Sequence, residues 1–274
     1  MDKIILKEFF FRIEKDLLLF FKLNQSLCDY YSVSKIHKTR ILLRKFLSFF
    51  EISSFFIYSK KISNYKITIN KNIKKLNCTR DIDVILSYFD EIYNLFPDIK
   101  YFYQYIKIKK DKLSKKIVKH FKKGKILENK KNLVYYLDFI KEKILSNDKI
   151  KLEEGFQEII YKTYKKVIKA TNLINIDNIK SFHKTRICIK ELRYTVELLK
   201  YILEIDNDII IELKYQQEIL GKIHDMSIFL KYLEKYKESD LFSLKNYLIK
   251  KQQVLINDFM QTSGKLTTLF RGKD

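Results

Sequence analysis

Apolar side chains recur three or four positions apart along most of this chain, the period of a helix buried on one side. From about residue 2 to residue 27, Ile5, Phe9, Leu17 and Phe20 mark such a face, with charges between them. A second helix is predicted over 33–52, and the polar, β-branched stretch 58–75 reads as a third. Thr79 is placed to cap a further helix. Asp81 and Asp83 would then sit in its first turn, where the helix dipole favours acids. Ile82, Ile85, Phe89, Ile92 and Phe96 carry its apolar face as far as Pro97, which ends it. Residues 100–131 read as one long exposed helix, with thirteen lysines against Asp111 and Glu128. Five glycines and one proline are too few to turn a series of strands. The fold class expected is all-α, with long helices joined by short polar loops.

A tetrapeptide occurs twice, as His37-Lys38-Thr39-Arg40 and His183-Lys184-Thr185-Arg186, just over half the chain apart. The match extends: Arg44 corresponds to Lys190, and each copy follows a helix of similar length. Each is followed at similar distance by a short acidic segment, Thr79-Arg80-Asp81 in one half and His224-Asp225 in the other. This order predicts two structural repeats of about four helices each, 1–148 and 149–274, together forming one domain.

Composition adds a partner to this picture. The formal net charge is +22, from 55 basic and 33 acidic residues. Such an excess repels itself and points to an anionic partner. Cys28, Cys78 and Cys188 make no paired metal-binding spacing, as expected in a reducing compartment. The apolar start is broken by Lys7, Glu8 and Arg12, unlike a secretion signal, and no uninterrupted apolar run would span a bilayer. A cytoplasmic protein is expected, without a membrane partner.

The repeated motif concentrates the charge. On a helix, His183, Arg186, Lys190 and Arg193 fall within an arc of about 80° at roughly 100° per residue. His37, Arg40 and Arg44 form the same stripe in the first half, with Lys45 adjacent. Like charges one turn apart weaken a helix by a few tenths of a kcal/mol per pair, and no acid is interleaved here. An external anion as counter-charge explains both stripes, and two of them lining a shared cleft is the expectation. The competing reading pairs Arg40 with Asp81 or Asp83, and Arg186 with Asp225. Neither motif histidine has a second His or Cys nearby in sequence, so no metal site and no cofactor is expected. The lysines of 100–131 read individually as a solvated face that raises the local positive potential.

The paired H-x-x-R-x-x-x-[RK] helices, Arg80-Asp81-Ile82-Asp83-Val84, Leu192-Arg193-Tyr194 and Leu220-Gly221-Lys222-Ile223-His224-Asp225 together resemble the CHAD family, the conserved histidine α-helical domain. The resemblance runs from about residue 3 to residue 260. It implies two four-helix bundles around a central basic cavity that binds inorganic polyphosphate, without catalysis. Carried over to this chain, the polyphosphate-binding residues are His37, Arg40, Arg44, Lys45, Arg80, His183, Arg186, Lys190 and Arg193. Polyphosphate granules or a triphosphate-processing enzyme follow as expected associates. The first stripe is thinner than the family's, because Lys45-Phe46-Leu47 stands where a second arginine-rich run is usual. An alternative is RNA or single-stranded nucleic acid, which calls for aromatic stacking platforms; Phe46 and Phe182 read instead as core. A third is a phosphate-processing enzyme using a motif histidine, but no glycine-rich phosphate loop is present.

Overall fold

The computed structural model describes residues 3–124, 130–236 and 241–270. Among them the chain is all-α, without strands. Its helices are α1 (Lys3–Leu27), α2 (Val33–Phe56), α3 (Lys60–Tyr93), α4 (Lys100–Lys122), α5 (Lys130–Leu145), α6 (Lys149–Asn172), α7 (Ile179–Leu199), α8 (Asn207–Lys235) and α9 (Phe242–Thr262). Short 3-10 turns cover Pro97–Ile99 and Ser263–Thr267. The repeat boundary read from sequence falls between α5 and α6. None of the described helices is long and apolar enough to cross a membrane.

Two compact units are assembled from interleaved segments. One comprises Met1–Arg80, Asp111–Tyr161 and Tyr194–Ile205; the other comprises Asp81–Lys110, Lys162–Arg193 and Asp206–Asp274. In the first, α1, α2 and α5 pack on one another around Ile13, Leu17, Phe10, Phe20, Phe49 and Phe50, all buried. Phe50 stacks on Tyr65 of α3 at 5.0 Å between ring centres. Ser32 caps α2, its side chain accepting from the Lys35 amide at 3.4 Å. Gly155 on α6 admits the ring of Phe56, since an added Cβ would lie 2.5 Å from a ring carbon. In the second unit α8 and α9 pack together. Gln252 of α9 donates to the Ile223 carbonyl at 3.0 Å and to the Ser227 hydroxyl at 2.7 Å. Thr185 of α7, fully buried, donates to the Ala170 carbonyl of α6 at 3.1 Å.

Two expectations are corrected. Thr79 does not cap a helix: α3 runs through it, and its buried hydroxyl donates to the Leu76 carbonyl at 3.0 Å. Threonine can satisfy itself on the preceding turn, so a capping residue type does not compel a boundary. The apolar face from Ile62 and Ile69 through Leu76 to Ile82 and Phe89 is continuous, and it holds the helix together. Asp81 and Asp83 are therefore mid-helix. His224-Asp225 likewise lies inside α8, with Asp225 buried. Finally, 100–131 is not one exposed helix. Phe102, Ile106, Ile117 and Phe121 of α4 are buried, and Gly124, at φ +63°, takes the left-handed conformation that closes a helix C-terminus. Lys130 and Lys131 open α5 instead, and the remainder of that segment, 125–129, lies outside the described residues.

Candidate anion-binding helices

The two motif helices are anchored alike. On α2, Ile36, Thr39, Leu43 and Phe46 are buried; on α7 the corresponding residues Phe182, Thr185, Ile189 and Leu192 are buried. This apolar edge fixes the rotation of each helix and so the direction of the stripe beside it. His37 and His183 are exposed, and Arg40 and Arg186, one turn on, are half-buried. The shared tetrapeptide thus has one pattern of burial in both halves.

In the first unit, Arg40 reaches α3. Its Nη2 and Nε donate to Oδ1 of Asn77, at 2.8 and 3.2 Å. An amide oxygen orients a guanidinium without supplying a counter-charge. Arg80, one turn further along α3, is close enough to act on His37. The His37 imidazole is held below its ordinary value of 6.5, first by partial loss of hydration, then by repulsion from Arg40 and from Arg80. Arg44 is half-buried on the same face as Arg40. Lys45 is directed elsewhere, pairing with Asp16 of α1 at 2.7 Å. Asp83, considered above as a partner for Arg40, pairs with Lys110 at 3.0 Å.

The second unit repeats this chemistry between α7 and α8. Arg193 donates from Nε to Oε1 of Gln217 at 2.9 Å, again an arginine oriented by an amide. The Arg186 guanidinium lies over α8 at Gly221, where an added Cβ would be 3.6 Å from Nη2, an ordinary contact. Lys190 is buried, with 9% of its surface exposed. His183 also lies below 6.5, through partial burial and then through Arg186 and Lys190. Its ring stacks on that of His224 at 4.7 Å. Beside the pair is a pocket of about 290 Å³ whose polar lining includes Lys180, His183, His224, Ser227 and Lys231.

Within each unit, then, the structure gathers the predicted residues except Lys45. The site residues missed in the sequence are His224, Asn77 and Gln217. His224 lies within the 220–225 motif, where nothing in the sequence signals that its ring meets that of His183. Asn77 and Gln217 carry no signal of their own, because amides become visible only when helices distant in sequence meet. Among the described residues, no group of three or more His, Cys, Asp or Glu is placed to hold a metal ion.

A family model described as the CHAD domain matches residues 24–234. The chain belongs to the CHAD family. The match begins within α1 and ends in α8, so it takes in Arg80 and both motif helices. A crystal structure of the CHAD domain from the plant Ricinus communis superposes with a TM-score of 0.71 at 15% identity, covering 96% of this chain and 91% of that one. At that identity the likeness is one of fold. No curated protein matches the chain.

Proposed function

We propose that this CHAD chain binds inorganic polyphosphate through its motif helices and does not itself cleave the polymer. The observation that carries the reading is the recurrence of one arrangement: an exposed histidine with a half-buried arginine one turn on, and other cations around it. Arg40 and Arg80 act on His37, and Arg186 and Lys190 act on His183; every charge that shifts either ring is positive. Cations gathered around each ring in this way attract a polyanion. Polyphosphate has a charge on every phosphate and no base to read, which suits oriented guanidiniums and ammonium groups. Nucleic acid fits less well, because Phe46 and Phe182, aromatics close to the motif residues, are buried in the core. The reading goes with a cytoplasmic protein in the company of polyphosphate granules or a triphosphate-processing enzyme.

The test is calorimetric titration with long-chain polyphosphate at near-physiological salt, with a single-stranded oligonucleotide as competitor. Arg40→Ala/Arg186→Ala is expected to weaken binding about a hundredfold or more, since each loses charge-assisted hydrogen bonds. Unchanged helicity by circular dichroism separates this from unfolding. Equal binding of both polymers, indifferent to the substitutions, would sink the proposal in favour of a generic basic surface.

A pH dependence follows. Free His37 and His183 lie below 6.5, and a bound polyanion reverses the field and raises both. Affinity therefore rises as pH falls through the window between the bound and free values, and is flat outside it. Titrations near pH 6.5 in buffers of different ionisation enthalpy should show net proton uptake; proton release would contradict the placement of both rings.

A further inference from the structure

Helices α3 and α4 meet in the first unit along a face that the histidine motif does not include. Thr68, Lys71, Asn72 and Lys75 on α3 stand at i, i+3, i+4 and i+7. Lys116, Lys119, His120 and Lys123 stand at the same spacing on α4 and just past its end. Together they line an open pocket of about 420 Å³. The lining holds five lysines and no carboxylate. Among the described residues, none of these five lysines forms an ion pair. On α3 the centre of this face is turned roughly 130° from Arg80 and about 170° from Asn77, at about 100° per residue, so it is separate from the stripe around His37.

We propose that this groove is a second anion site, which takes a compact, multiply charged phosphate. The floor is built rather than incidental. Asn72 is 4% exposed; its Nδ2 donates to the Thr68 carbonyl at 3.0 Å, which directs Oδ1 toward His120. His120 Nε2 donates to that oxygen at 2.8 Å. The proton is thereby fixed on Nε2, and Nδ1 is left as the acceptor facing Lys75 Nζ at 3.5 Å. Partial burial first, then Lys75 and Lys123, hold the imidazole below its ordinary value. Lysines at a helix C-terminus can be explained by the helix dipole, which accounts for Lys119 and Lys123. It does not account for Lys71 and Lys75, which lie mid-helix on α3 and face them. A ligand of several charges accounts for both sets. The lining offers no Phe, Tyr or Trp for a nucleobase to stack on, so a small phosphate suits it better than nucleic acid.

The reading stands apart from polyphosphate binding at the motif helices, and His120 allows the two to be told apart. The chain has four histidines, each with its own imidazole signal. Pyrophosphate added to the full chain should shift the His120 signal saturably toward the imidazolium form, and should do so equally in Arg40→Ala/Arg186→Ala. Lys71→Gln/Lys119→Gln should weaken this response about tenfold and leave the pyrophosphate response of His183 unchanged. The inference is overturned if His120 stays fixed while His37 or His183 moves. It is equally overturned if the shift does not saturate, if sulfate at matched ionic strength reproduces it, or if a short oligonucleotide produces it as tightly.

Discussion

Raising the salt from 50 to 200 mM is expected to lower the affinity for long-chain polyphosphate by about two orders of magnitude or more. A polyanion holds a condensed layer of counterions, and each cationic side chain that replaces one releases it. Binding is then driven by the entropy of that release, which shrinks as bulk salt rises. The α7 stripe supplies Arg186, Lys190, Arg193 and the protonated form of His183. Four contacts at a log–log slope of roughly −0.7 to −0.9 each give about two decades over a fourfold change in salt. Lys45 should add little to the slope, because its ammonium already pairs with Asp16 at 2.7 Å and would have to leave a carboxylate. Calorimetric affinities at several salt concentrations give the slope directly. A slope near zero would mean that the polymer is held by something other than these cations. Arg186→Ala should flatten the slope by about one contact, whereas Lys45→Ala should leave it nearly unchanged.

The motif helices were legible because the information for them is local. Ile36, Leu43 and Phe50 on α2 and Phe182, Ile189 and Leu192 on α7 are spaced for one buried face, and their burial in the structure follows that spacing. The repeated tetrapeptide then assigned the rest of each face to cations. What failed to show depends on contacts between distant segments. Thr79 has the chemistry of a cap, and only the continuity of buried residues on either side reveals that α3 passes through it. Asn77 lies 37 residues from the Arg40 that it orients. Lys116 and Lys119 of α4 are exposed, as a solvated face would be, but nothing in the segment announces that Lys71 and Lys75 of α3 stand opposite. The compact units are likewise assembled from three separate segments each, a pattern that no one-dimensional reading displays.

Phe102→Ala is expected to remove about 3–5 kcal/mol of stability, the range for deleting a fully buried aromatic side chain. Phe102, on α4, has no exposed surface and lies at the centre of the second unit's aromatic cluster. Its ring stacks on Phe229 at 5.9 Å, meets Tyr236 edge-on at 5.2 Å and lies tilted against Phe89 at 5.9 Å. Truncation leaves a cavity bordered by three large rings on α3, α8 and the end of α8, and rigid rings close such a space poorly. The loss should appear as a fall in melting temperature on the order of 10 °C. Phe11 is the control: it is 52% exposed, and Phe11→Ala should change stability by about 0.5 kcal/mol or less. Equal effects from the two substitutions would place the core elsewhere. The consequence reaches the binding residues, because Phe229 and His224 share α8. Loosening the helix at Phe229 frees the ring that stacks on His183, so Phe102→Ala should blur the His183 and His224 signals while leaving His37, in the other unit, as it was.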